Sequence, residues 1–147
     1  MKKEKSCGAV VFKEEQGEIN LLIIKQHDEY WHFPKGHVEE NETEEETAIR
    51  EIKEETNIDV EIDNNFRKVI TYSPKEGVLK DVVFFIGKAT SFDIEIDPDE
   101  LIDAKWVKPE EARDYFVYQD TIDLYEAALK YLGVSNEWYR KITRINR

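Results

Sequence analysis

The chain has 147 residues, 40% of them hydrophobic and 12% aromatic, enough for a single domain, residues 1–147, with one sizeable core and too apolar for a disordered chain. The formal net charge of −12 disfavours a nucleic-acid backbone as partner, because such binding needs basic surface, but it does not disfavour a small polyphosphate that arrives with its own cations. No stretch is apolar over a membrane's width, no basic-then-apolar leader opens the chain, and the lone Cys7 makes an internal disulfide impossible. A reducing cytoplasm is the expected location.

Residues 5–13 alternate and then run apolar, which predicts a strand. Cys7 is expected there as a buried small residue. Residues 14–18 turn at Gly17, and residues 19–25 predict a second, hairpin-paired strand. A polar loop follows, and Pro34 and Gly36 predict that Lys35 and His37 stay on irregular backbone at the mouth of the next element.

That element is a helix expected over residues 43–56. Asn41 or Thr43 can cap it, Thr43 with Glu46 has the spacing of a capping box, and Asn57 can close the end in a left-handed conformation. Ala48, Ile52 and Ile58 are expected to face a core. Glu44, Glu45 and Glu46 suit a helix N-terminus. Glu51, Glu54 and Glu55 do not: they occupy the last turns, where the macrodipole disfavours each by roughly 0.3–1 kcal/mol. Their spacing sets them on one side, where like charges repel. Arg50 can pair with Glu54 one turn on, but one arginine cannot neutralise all three. A solvated acidic face is one explanation. A hard divalent cation such as Mg²⁺ or Mn²⁺, which takes oxygen ligands, is the other.

Further along, residues 66–73 and 78–89 predict a hairpin turning over 74–77, and residues 101–107 a short strand. Pro109 predicts a helix start. Residues 120–132 predict an amphipathic helix through Ile122, Leu124, Tyr125, Ala128, Leu129 and Leu132, stopped by Gly133. The tail, 134–147, mixes aromatic and basic residues and can be a docking segment or a frayed end. Strands and helices in this order indicate α/β or α+β. The sequence is silent on oligomeric state.

Gly36, five residues, Glu42, seven residues, then Arg50-Glu51-Ile52-x-Glu54-Glu55-x-x-Ile58 resembles the Nudix box, with Asn57 where the family has glycine. The resemblance extends over nearly the whole chain, since Trp106-Val-x-Pro-Glu-Glu-Ala112 is similar to the family's C-terminal portion. It implies an α/β/α sandwich around a mixed sheet and a metal-dependent pyrophosphohydrolase. It also implies Glu51, Glu54 and Glu55 as metal-binding and catalytic glutamates, with the Gly36 carbonyl as a further ligand. Glu42 is expected to hold the loop on the helix, and Arg50 to orient Glu54. Glu100, six residues before Trp106, is in register with a further ligand or base of the diadenosine tetraphosphate hydrolases. The stretch Trp31-x-Phe33-Pro34-Lys35-Gly36-His37-Val38-Glu39 also resembles the asymmetrical members of that subfamily. By the same resemblance, Lys35 and His37 would meet phosphates, and Tyr72, Lys80 and Phe84 would be substrate-binding residues in the places of a tyrosine, a lysine and an adenine-stacking tyrosine. For Phe84, ordinary core packing is the competing role. The implied reaction is hydrolysis of a dinucleoside polyphosphate. The alternatives are a nucleoside triphosphate, ADP-ribose or the 5′ end of an RNA as substrate, or a nucleotide sensor without catalysis.

Overall fold

A computed structural model of the protein describes residues 1–134. Its centre is a strand apolar on both faces, as a strand covered from both sides must be. This is β1 (Lys2–Glu15), in which Cys7, Ala9, Val10 and Val11 have no exposed surface. It turns at Gln16 and Gly17, both at positive φ, and pairs antiparallel with β2 (Glu18–Gln26). Two short strands follow, β3 (Trp31–His32) on β2 and β4 (Lys35–His37) on β1. The long hairpin of β5 (Val60–Tyr72) and β6 (Val78–Ala89) joins on the other side of β1, with β6 running parallel to it from Lys2 to Phe12. The last strand, β7 (Leu101–Val107), pairs with β2. The result is one mixed sheet of seven strands.

Strand alternation then divides the core in two. Cys7, Ala9, Val11, Leu22, Val83 and Phe85 face Ala48, Ile52 and Ile58 on and just beyond helix α1 (Glu44–Thr56). Val10, Phe12, Ile23, Val82, Phe84 and Ile86 face Ile122, Leu124, Tyr125, Ala128 and Leu129 of helix α3 (Gln119–Leu132). This is an α/β/α sandwich. A short helix, α2 (Pro109–Ala112), starts at Pro109 and is tied to α3 by the buried Tyr125 hydroxyl, which donates to the Pro109 carbonyl at 2.7 Å. Gly133 ends α3 in the left-handed conformation, at φ 72°.

Three expectations need correction. Lys35 and His37 are on a strand and not on irregular backbone, because the open edge of β1 at Ser6–Gly8 supplies the ladder that Pro34 only interrupts. β1 begins at Lys2 and β5 at Val60, earlier than hydrophobic patterning indicates. Backbone pairing with β6 carries both polar ends, and a bulge between Asp63 and Lys68 breaks the alternation of β5. Apart from Val134, the tail lies outside the described residues. No helix among those residues is long and apolar enough to cross a membrane.

Candidate active site

The start of α1 is fixed by its own sequence. Thr43 Oγ1 accepts from the Glu46 N–H at 3.1 Å and Glu46 Oε1 accepts from the Thr43 N–H at 2.9 Å, the reciprocal pair of a capping box. Asn41 is no cap; it turns the preceding loop at φ 67°. Glu44 is paired with Lys5 and Arg67, so part of the first-turn charge is neutralised. Asn57 closes the helix at φ 67°, where an asparagine does the work of a glycine.

The last turns carry the chemistry. The Arg50 guanidinium donates to Glu42 at 2.6 and 2.9 Å, to Glu51 at 2.8 Å, to the His37 carbonyl at 2.9 Å and to Glu54 at 3.2 Å. Its principal partner is therefore Glu42, and the Glu54 contact expected from helix spacing is the longest of the set. Glu42 also accepts from the Glu39 N–H and the Thr47 hydroxyl, both at 2.9 Å. Its bonds to Arg50, first of these effects, pull its carboxyl down to about 2. Glu42 and Arg50 thus fasten the chain after β4 to the flank of α1.

Gly36 sits where that strand meets the helix. A Cβ there would lie 2.0 Å from Glu51 Cδ and 2.1 Å from its Oε2. The site needs glycine for space, since any side chain would displace the carboxylate.

Glu55 is 5% exposed and its Oε2 has no hydrogen-bond partner. Burial, reinforced by Glu51 and opposed by Lys35, pushes its carboxyl up to about 8. Burial also raises Glu51, despite the bond from Arg50. Glu100 reaches this group from the loop before β7. That loop docks on the end of α1, with the Asp97 N–H donating to the Glu55 carbonyl and the Glu95 N–H to the Thr56 carbonyl, both at 3.0 Å. It thereby satisfies helix-end carbonyls that have no partner within the helix. Across the same cavity of about 390 Å³ lie Lys35, His37 and Lys80. Lys80 is 7% exposed. Burial and then Lys80 push the Lys35 ammonium down to about 8.

A second cavity of about 430 Å³ adjoins the first and shares Gln26 and Lys35 with it. It contains Phe33, Tyr72 and Phe84. It also contains His32 and Tyr118, which the sequence did not single out. Tyr118 approaches from the turn before α3, its ring stacked on His32 at 6.1 Å. No local pattern marks it, as it gains its place only through the packing of α3. Phe84 has both roles open to it, since it is 6% exposed within the α3-facing core and lines the cavity as well.

The predicted residues are thus gathered in two compartments. Gly36, Glu51, Glu54, Glu55, Glu100, Lys35, His37, Lys80 and Arg50 line the first, Tyr72 and Phe84 the second, and Glu42 stands behind Arg50. Among the described residues no three acidic, histidine or cysteine side chains converge as a ready-made cage for an ion. The donor chemistry nevertheless suits a hard cation. It consists of carboxylate oxygens, one of them buried without a partner, with a backbone strand held close by the absence of a side chain at Gly36.

A mixed sheet lies between helices, with glutamates facing the buried Lys80 and the half-buried Lys35 across one cavity. The NUDIX domain model matches residues 2–127, and the chain belongs to that family, whose enzymes act on pyrophosphate bonds. It is 30% identical over 120 residues to the asymmetrical bis(5′-nucleosyl)-tetraphosphatase of Mus musculus, with 74% of this chain and 81% of the relative covered. The enzyme of that name from Caenorhabditis elegans is 33% identical over 113 residues, again covering 74% and 81%. A crystal structure of a C. elegans Ap4A hydrolase binary complex superimposes with a TM-score of 0.79 at 28% identity, covering 88% of this chain and 98% of that one.

Proposed function

We propose that this chain is a divalent-metal-dependent pyrophosphohydrolase of dinucleoside polyphosphates, splitting diadenosine tetraphosphate into ATP and AMP by attack of water on phosphorus. The observation that carries this reading is the pair of adjoining cavities. One is built of carboxylates and cationic donors, the other of aromatic rings, and Lys35 belongs to both. A nucleoside attached to a polyphosphate has this same division. The two tetraphosphatase relatives and the Trp31–Glu39 stretch point the same way.

Glu51, Glu54, Glu55 and Glu100, with the Gly36 carbonyl, would hold Mg²⁺ or Mn²⁺. Such ions neutralise phosphate charge and lower the pKa of a bound water. The protein's own part is positioning and charge, as phosphoryl transfer asks for little covalent help. Lys35, His37 and Lys80 donate to phosphate oxygens. Tyr72 and Phe84 border the nucleoside. Arg50, anchored on Glu42, fixes Glu51 and the β4 backbone relative to each other. The group that takes the proton of the attacking water comes from the four glutamates. In this reading residues 1–147 form one Nudix domain, its partner is a small nucleotide and its setting the cytoplasm.

The test is a substrate panel assayed with Mg²⁺ and with Mn²⁺: diadenosine tetraphosphate, ADP-ribose, an oxidised deoxyguanosine triphosphate and a 5′-triphosphorylated RNA. ATP plus AMP from the first, at a rate well above the others, is the expected result. Preference for another member of the panel would overturn the substrate assignment.

A further inference from the structure

The cation-lined wall of the first cavity contains one polar atom without a role. Ser6 has no exposed surface, and its Oγ has no hydrogen-bond partner. It nonetheless lines the cavity that holds Lys35 and Lys80. Strand register explains how it comes to be there. On β1, Ser6 shares a face with Val10 and Phe12, opposite the face of Cys7, Ala9 and Val11 that packs on α1. Its neighbours in the sheet are Val82 of β6 and His37 of β4. Lys80 and Lys35 each lie one same-face position earlier on those two strands, opposite Glu4 and Gly8 of β1. Ser6 is therefore the residue of the central strand that lies between the two lysines.

Neither lysine is in a salt bridge with a carboxylate among the described residues. A buried lysine and a half-buried one beside an unpaired buried hydroxyl are costly to take out of water. The three have complementary needs only when an anion is present, because each can then donate to an oxygen of it.

Resting on the pyrophosphohydrolase reading above, we propose that Ser6 is a substrate-binding residue, its hydroxyl completing with Lys35 and Lys80 a three-donor seat for a phosphate group of the substrate. The seat shares its cavity with Glu51 and Glu55, so a phosphate held there lies within reach of the carboxylate side. This assigns a binding function to a strand residue outside the glutamate-rich segment.

The test uses the full chain and the variants Ser6→Ala and Ser6→Thr, with inorganic pyrophosphate as the probe, titrated by calorimetry at fixed Mg²⁺. Ser6→Ala should bind it about tenfold more weakly, the effect of one lost hydrogen bond to a charged group, and Ser6→Thr should stay within about threefold of wild type. On diadenosine tetraphosphate, Ser6→Ala should raise KM by a similar factor with kcat little changed. Its melting temperature should hold or rise, since the change removes an unsatisfied buried hydroxyl. Unchanged pyrophosphate affinity in Ser6→Ala would overturn the proposal, as would a lower melting temperature with kcat and KM both impaired. If the wild type ignores diadenosine tetraphosphate while Ser6→Ala still weakens pyrophosphate binding, the substrate assignment falls and the phosphate seat stands.

Discussion

Replacing Glu55 with glutamine should make the metal-free protein more stable and the enzyme nearly inactive. The wild-type carboxyl is buried with one unpaired oxygen, and burial followed by Glu51 lifts it from 4.5 to about 8. The unfolded chain releases this proton near 4.5 while the folded protein keeps it until about 8. The contribution to stability is therefore full below the lower value and is lost as pH climbs to the upper one. At pH 7 the loss amounts to ~3 kcal/mol, at 1.36 kcal/mol per unit. Glutamine has the same shape and no charge, so in the variant this loss disappears. Metal-free thermal melts at pH 5 and pH 7 measure it. The gap between variant and wild type should be small at pH 5 and open to roughly 6–12 °C at pH 7. Mg²⁺ should raise the melting temperature of the wild type more than that of the variant. Hydrolysis should fall by about two orders of magnitude or more. A gap that fails to widen with pH would show that Glu55 ionises without cost, and the account of its burial would be wrong.

Three further outcomes follow from the same geometry. Gly36→Ala would set a Cβ 2.0 Å from Glu51 Cδ, so the carboxylate must move; steady-state assays should show at least about a hundredfold loss of kcat with a folded protein by circular dichroism, the scale expected when a positioned group is displaced. Arg50→Lys keeps the charge but cannot bond Glu42, Glu51 and the His37 carbonyl together. Urea unfolding should register a loss of about 2 kcal/mol, and activity should drop with it. Lys35, pushed down to about 8, carries its charge below that pH and sheds it above. The value of kcat/KM should therefore decline as pH rises through about 8, and Lys35→Arg should move that decline to higher pH. A Lys35→Arg profile superimposable on wild type would remove Lys35 from the phosphate-binding set.

What the sequence determined by itself is the helix and its chemistry. The Thr43–Glu46 box, the Asn57 cap and the apolar positions Ala48, Ile52 and Ile58 are encoded in residues a few places apart, and all appear in the structure as read. So is the anomaly of Glu51, Glu54 and Glu55 at the wrong end of the helix dipole, which marks the segment as a candidate site. Only the tertiary structure decided what those residues meet. Helix spacing offered Glu54 to Arg50, and the contact with Glu42, eight residues back in the loop before the helix, proved the stronger. Breaker residues suggested a loop at Lys35 and His37, and the free edge of β1 made it a strand. The dock of the loop before β7 on the end of α1, the rings of His32 and Tyr118, and Ser6 between two lysines likewise have no local signature. Periodicity reports which side of an element is apolar and where it ends. It carries no information on which distant element supplies the partner, because sheet register and helix docking are settled by the packing of the whole core.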